Sequence, residues 1–100
     1  MRTLTITTAM ILITLAGFSQ TDKYQSTMKM NIDKMYQSTT VEDYQLMANT
    51  FERIALAEKK EWLPSYYTGY CYIMMAFMAG KPDQIDPYLD LAQKHLDNAF

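Results

Sequence analysis

The sequence predicts an all-α fold: about four helices in antiparallel pairs, stacked as a short α-solenoid. Three observations carry this expectation. Apolar residues recur at three- and four-residue spacing along most of the chain, and no alternating stretch of useful length interrupts them. Residues that start and stop helices, namely a Thr-x-x-Glu box, Pro64, Gly80 and Asp86-Pro87, stand between the periodic segments. Finally, Val41-Glu42-x-Tyr44-x-x-Met47-Ala48 returns as Ile85-Asp86-x-Tyr88-x-x-Leu91-Ala92, so the second and fourth segments should play equivalent parts. Two helix-turn-helix units of about 40 residues would each bury an apolar face against the next. A compact four-helix bundle is the alternative arrangement of the same segments.

Residues 1–19 read as a secretory leader. Met1-Arg2 supplies one positive charge, and no other charge occurs before Asp22. The apolar centre from Ala9 to Ala16 fits the roughly 7–15 residues of a signal h-region and falls well short of the roughly 20 that span a bilayer. Gly17-Phe18-Ser19 presents small residues where a signal peptidase reads, which puts the cut between Ser19 and Gln20. Leu15-Ala16-Gly17 begins like a lipoprotein box, but Phe18 stands where the lipidated Cys is needed, so no lipid anchor is expected. The competing reading of this stretch is a buried N-terminal helix. With a leader, residues 20–100 become a periplasmic or secreted helical-repeat domain with no stable membrane anchor after cleavage.

The first helix of that domain should run from about Asp22 to Tyr36, with Tyr24, Met28, Ile32 and Met35 on one stripe, and Gln37-Ser38 should break it. Thr39-x-x-Glu42 has the form of a capping box, in which the hydroxyl accepts from an orphan N–H and the carboxylate reaches back. The helix it opens would turn Tyr44, Met47, Ala48, Phe51, Ile54 and Ala55 inward and leave Glu52, Arg53, Lys59 and Lys60 solvated. Pro64 suits the first position of a third helix, where a missing N–H is no loss. That helix carries no charge between Glu61 and Lys81 and is apolar or aromatic on every face, so it should form the middle layer, closed by Gly80 as a left-handed cap. Asp86-Pro87, or Asp83 a turn earlier, should open the fourth helix, with Ile85, Leu89, Ala92, Leu96 and Ala99 inward.

The segment from Val41 to Ala99 resembles exported (periplasmic) tetratricopeptide-repeat-like proteins of Gram-negative bacteria, in their N-terminal portion. The resemblance rests on Asn49-Thr50-Phe51-Glu52-Arg53-Ile54-Ala55, Glu58-Lys59-Lys60-Glu61-Trp62-Leu63-Pro64, and Tyr88-Leu89-Asp90-x-Ala92-Gln93. Gly69-x-x-Tyr72 and Ala92-x-x-x-Leu96 match small and large positions of the repeat, while Ser65 and Thr68 replace its usual Trp and Leu. The resemblance implies a tetratricopeptide-like fold, export, and continuation into further repeats beyond Phe100.

Few residue types for chemistry are present. The formal net charge of −2 becomes more negative once Arg2 is removed, and no basic patch exists to neutralise phosphates, so nucleic acid is not an expected partner. With one His and one Cys, the usual zinc ligand sets cannot be assembled, and no cofactor or metal is expected. His95 reads as a structural residue at the edge of an inward stripe. Cys71, between Tyr70 and Tyr72, reads as a buried small apolar residue. Asp83, Asp86, Asp90 and Asp97 lack the glycine turn of a calcium loop and read as a solvated helix face. Three scattered glycines make no phosphate loop, and Ser65 has no nucleophile elbow. The expectation is a non-enzymatic protein.

The concentrated feature is aromatic. Trp62, Tyr66, Tyr67, Tyr70 and Phe77 are the candidate partner-binding surface, with Tyr66, Tyr70, Ile73 and Phe77 on one stripe and Met74, Met75 and Met78 beside them. Core packing competes for each of these residues. Two flanking helices cannot cover every face of such a helix, however, so part of it should meet a protein or peptide, a further repeat, or a second copy. Three roles share that surface: an interaction or scaffold module, a purely structural N-terminal cap of a longer solenoid, and a small obligate helical dimer.

Overall fold

The computed structural model describes residues 22–100. The expected leader 1–19 and its cleavage at Ser19/Gln20 lie outside the described residues. A boundary between two compact units falls after Met30, and Asn31–Phe100 form the second of them. Residues 22–36 are helical (α1), followed by α2 (Val41–Ala57), α3 (Leu63–Ala79) and α4 (Pro82–Ala99), with no strand among the described residues. In α1, Met28 and Met35 are buried at the expected stripe positions, and Gln37 forms the turn that ends it.

The start of α2 corrects the expected capping box by one residue. Thr40, in extended backbone, is the N-cap, and its Oγ1 accepts from the Asp43 amide at 3.1 Å. The Asp43 carboxylate in turn accepts from the amide of Thr39 at 3.2 Å, leaving Glu42 exposed. Thr39-x-x-Glu42 and Thr40-x-x-Asp43 overlap in sequence, and the shorter acid closes the tighter turn. Four residues of the inward stripe, Tyr44, Met47, Ala48 and Phe51, are buried as expected, while Ile54 and Ala55 are half-buried.

α3 is the middle layer. It packs against both α2 and α4, whereas α2 and α4 do not pack on each other. Phe51 meets Tyr67 and Gln45 meets Tyr72, so α2 and α3 run antiparallel. Trp62 meets Phe100 and Tyr72 meets His95, so α3 and α4 do as well. Among α2, α3 and α4 only sequential neighbours pack, the layered order of an α-solenoid. The α3–α4 approach is tight: a Cβ at Gly69 would lie 2.8 Å from Leu96 Cγ and 3.2 Å from the Ala92 carbonyl oxygen. Thr68 is fully buried with its hydroxyl satisfied locally, donating to the Pro64 carbonyl at 2.8 Å, one turn back.

Two helix starts differ from expectation. α3 opens at Leu63 with Pro64 in its first turn rather than at its first position. α4 opens at Pro82, earlier than either proposed Asp cap, and Pro87 lies inside it. Pro82 has the fixed φ that suits a first helical position, and the Lys81 carbonyl accepts from Gln84 and Ile85. Pro87 is exposed, so its ring points away from the α3 interface and its missing N–H interrupts a single turn. Gly80 ends α3 at φ 72°, the left-handed cap expected of it.

Candidate functional site

α3 orders a run of aromatic rings along one side of the Asn31–Phe100 unit. Phe100 lies 5.9 Å from Trp62, Trp62 lies 6.0 Å from Tyr66, and Tyr66 lies 5.1 Å from Tyr67. The run continues from Tyr67 to Tyr70 and from Tyr70 to Tyr36, each at 6.3 Å. Four of these pairs meet edge to face, the arrangement in which the positive rim of one ring faces the negative face of the next. Tyr67 also stacks on Phe51 at 5.4 Å, which ties the run to the core. Trp62 is 52 % exposed, and Tyr66, Tyr67 and Tyr70 are half-buried.

The phenols of this run gather their oxygens together. Burial pushes the Tyr67 hydroxyl above its ordinary pKa, and Tyr36, which also shares a hydrogen bond with it, adds to the shift. Burial, then Tyr36 and Tyr44, raise Tyr70 in the same way. These hydroxyls therefore stay protonated at neutral pH and can donate or accept hydrogen bonds beside a set of apolar ring faces.

Phe77 stands apart from the run. It is 79 % exposed and forms, with Ile73, Ala76, Gly80, Ile85 and Leu89, an apolar groove of about 320 Å³ between the end of α3 and the start of α4. Leu89, expected to point inward, is 44 % exposed because it forms the rim of this groove.

The opposite side of the α3–α4 pair is polar. A cleft of about 350 Å³ between α2 and α4 is lined by Glu52, Lys59, Glu61, Ser65, Lys94 and His95 among others. No hydrogen bond joins any two of Glu52, Ser65 and His95 among the described residues. His95 is buried with its ring stacked on Tyr72 at 5.6 Å and 9°. Burial holds its pKa below the usual imidazole value; the Glu52 carboxylate opposes that shift and Lys94 adds to it. Cys71 is fully buried and free, and burial pushes its thiol up to about 12, so it remains protonated and unreactive. Among the described residues no group of three His, Cys, Asp or Glu side chains is placed to hold a metal ion, and no helix is long and apolar enough to cross a membrane.

The structure thus joins Trp62, Tyr66, Tyr67 and Tyr70 of the predicted surface and separates Phe77 from them. Tyr66 and Tyr70 communicate through Tyr67, which lies off their stripe. Sequence reasoning did not anticipate Tyr36 and Phe100 as the ends of the run, because Tyr36 belongs to α1 and Phe100 follows α4, and no period of α3 reaches them. Family models, curated proteins and solved structures provide no match to this chain.

Proposed function

We propose that this chain is an exported, non-enzymatic helical-repeat protein of tetratricopeptide-like type, directed to the periplasm or secreted, that holds a protein or peptide on the aromatic side of α3. The observation that carries the reading is the ring run itself. Trp62, Tyr66, Tyr67 and Tyr70 contact one another in series, and Trp62 keeps half its surface exposed. Rigid aromatic area with phenolic hydroxyls at its edge is what partner-binding surfaces use most, since it desolvates a large area at little entropic cost. The tetratricopeptide-like reading is supported by the close approach of Gly69 to Ala92 and Leu96, the positions of the repeat pattern. Export is supported by the leader-like residues 1–19.

The test is chemical cross-linking in the native host with the wild-type chain and with a Trp62→Ser/Tyr66→Ser double variant. The reading expects a protein captured by the wild type and lost by the variant while both unfold at similar temperature. An identical set of captured proteins would contradict it.

A further inference from the structure

We infer that the groove beside Phe77 receives a basic amphipathic helix of a partner protein. The inference rests on the partner-binding reading above and adds the chemistry of the ligand. The groove walls are Ile73 and Phe77 on α3 and Ile85 and Leu89 on α4, two pairs each separated by one helical turn. Parallel ridges spaced by one turn, about 5.4 Å, accept the i, i+4 side chains of a third helix lying along them. Gly80, whose missing side chain leaves open space, keeps one end of the groove clear.

Charge selects the occupant. At about 100° per residue, Asp86 and Asp90 lie one step further round α4 than Ile85 and Leu89. The two acids therefore flank the apolar ridge of α4 on its solvent side. Asp97 continues that row, and all three carboxylates are exposed. The facing edge of the groove, on α3, has no charge from Leu63 to Ala79. Lys94, one turn from Asp90 and the one cation within α4, also lines the cleft with Glu52 and His95, and Lys81 sits at the turn beyond Gly80, so α4 carries four acids against one base. The solvent face of α4 beside the groove is thus predominantly acidic, while α3 is neutral. An apolar helix flanked by Lys or Arg on one edge complements it, while a second copy of this net-negative chain would have to bring its own acids near Asp86 and Asp90.

The experiment measures binding of three labelled helical peptides to the full chain by fluorescence anisotropy. They share one Leu stripe and carry Lys/Arg, Gln or Glu flanks. The expected order is basic, then neutral, then acidic, with the spread shrinking as salt is raised. Asp86→Asn/Asp90→Asn should weaken the basic peptide roughly three- to ten-fold and leave the neutral one unchanged, as exposed ion pairs do. Phe77→Ala should weaken all three about ten-fold or more, as loss of a central anchor does. Equal binding of the three peptides overturns the charge inference while leaving the aromatic binding surface standing. Tightest binding of the acidic peptide also overturns it. Binding indifferent to Phe77→Ala and Leu89→Ala places the site elsewhere, and self-association abolished by Phe77→Ala gives the groove to a second copy. If no peptide binds while Trp62→Ser/Tyr66→Ser still abolishes partner capture, the groove alone is refuted.

Discussion

The two sides of α3 are made of the same kinds of residue and behave differently. Toward α2 and α4 lie Thr68, Cys71, Tyr72, Met75 and Ala76, all buried. On the other side lie Tyr66, Tyr70 and Ile73, half-buried, with Trp62, Phe77 and Met78 exposed. The buried side solves its polar groups individually. Thr68 bonds back to Pro64, and the Tyr72 hydroxyl accepts from Gln45 Nε2 at 3.3 Å. On the outer side, the Tyr67 hydroxyl shares a hydrogen bond with Tyr36. Residue type does not set burial in a helix without charge; the positions of the neighbouring helices do.

The largest effect expected from this contrast is on the buried side. Phe51 is fully buried beneath Tyr67, and Phe51→Ala should cost about 3–5 kcal/mol, much of the stability of a domain this size. Urea unfolding measures it, and a loss under about 1 kcal/mol would mean that the α2–α3 layer is not the core. Gly69→Ala comes next. The added methyl must push Leu96 and the Ala92 carbonyl apart, for a net cost of about 1–2 kcal/mol after the helix-propensity gain of alanine. A neutral or stabilising result would mean that α3 and α4 are further apart than described. Thr40→Ala removes the hydroxyl that caps α2 and should cost about 1 kcal/mol, whereas Thr39→Ala should cost less, a direct check on the shifted cap.

The fourth prediction is the pH dependence of His95. Its folded pKa lies below the ordinary 6.5, so the unfolded chain binds its proton more readily than the folded one. The stability that depends on neutral His95 is fully present above about pH 6.5 and is lost as pH falls through that value toward the folded pKa. Replacing His95 with Phe should flatten that acid limb of a plot of stability against pH. An unchanged limb would assign the acid sensitivity to other groups.

Much of this arrangement was legible in the sequence, and the places where it was not have physical causes. Tyr44, Met47, Ala48 and Phe51 were readable because one helical stripe covered by one neighbour leaves a plain period. The cap of α2 moved from Thr39 to Thr40 because two overlapping boxes offered the same chemistry and only backbone geometry chose between them. α4 started early because Pro82, whose fixed φ suits a first helical position, offered a start signal ahead of Asp86-Pro87. Leu89 was assigned inward by period, yet it falls where α3 and α4 diverge into a groove, and period carries no information about divergence. Of the candidate surface, Trp62, Tyr66, Tyr67 and Tyr70 were identifiable from their density alone. Their partners Tyr36 and Phe100 were not, since contacts between distant segments leave no local pattern.

The most direct test of the central claim, that the outer side of α3 is a surface rather than unfinished core, is thermal unfolding of a Trp62→Ser/Phe77→Ser double variant. Both side chains are at least half exposed, so their loss should move the midpoint by no more than about 4 °C. A fall of more than about 12 °C, corresponding to the loss of a core aromatic, would show that these rings hold the fold together and would contradict the account.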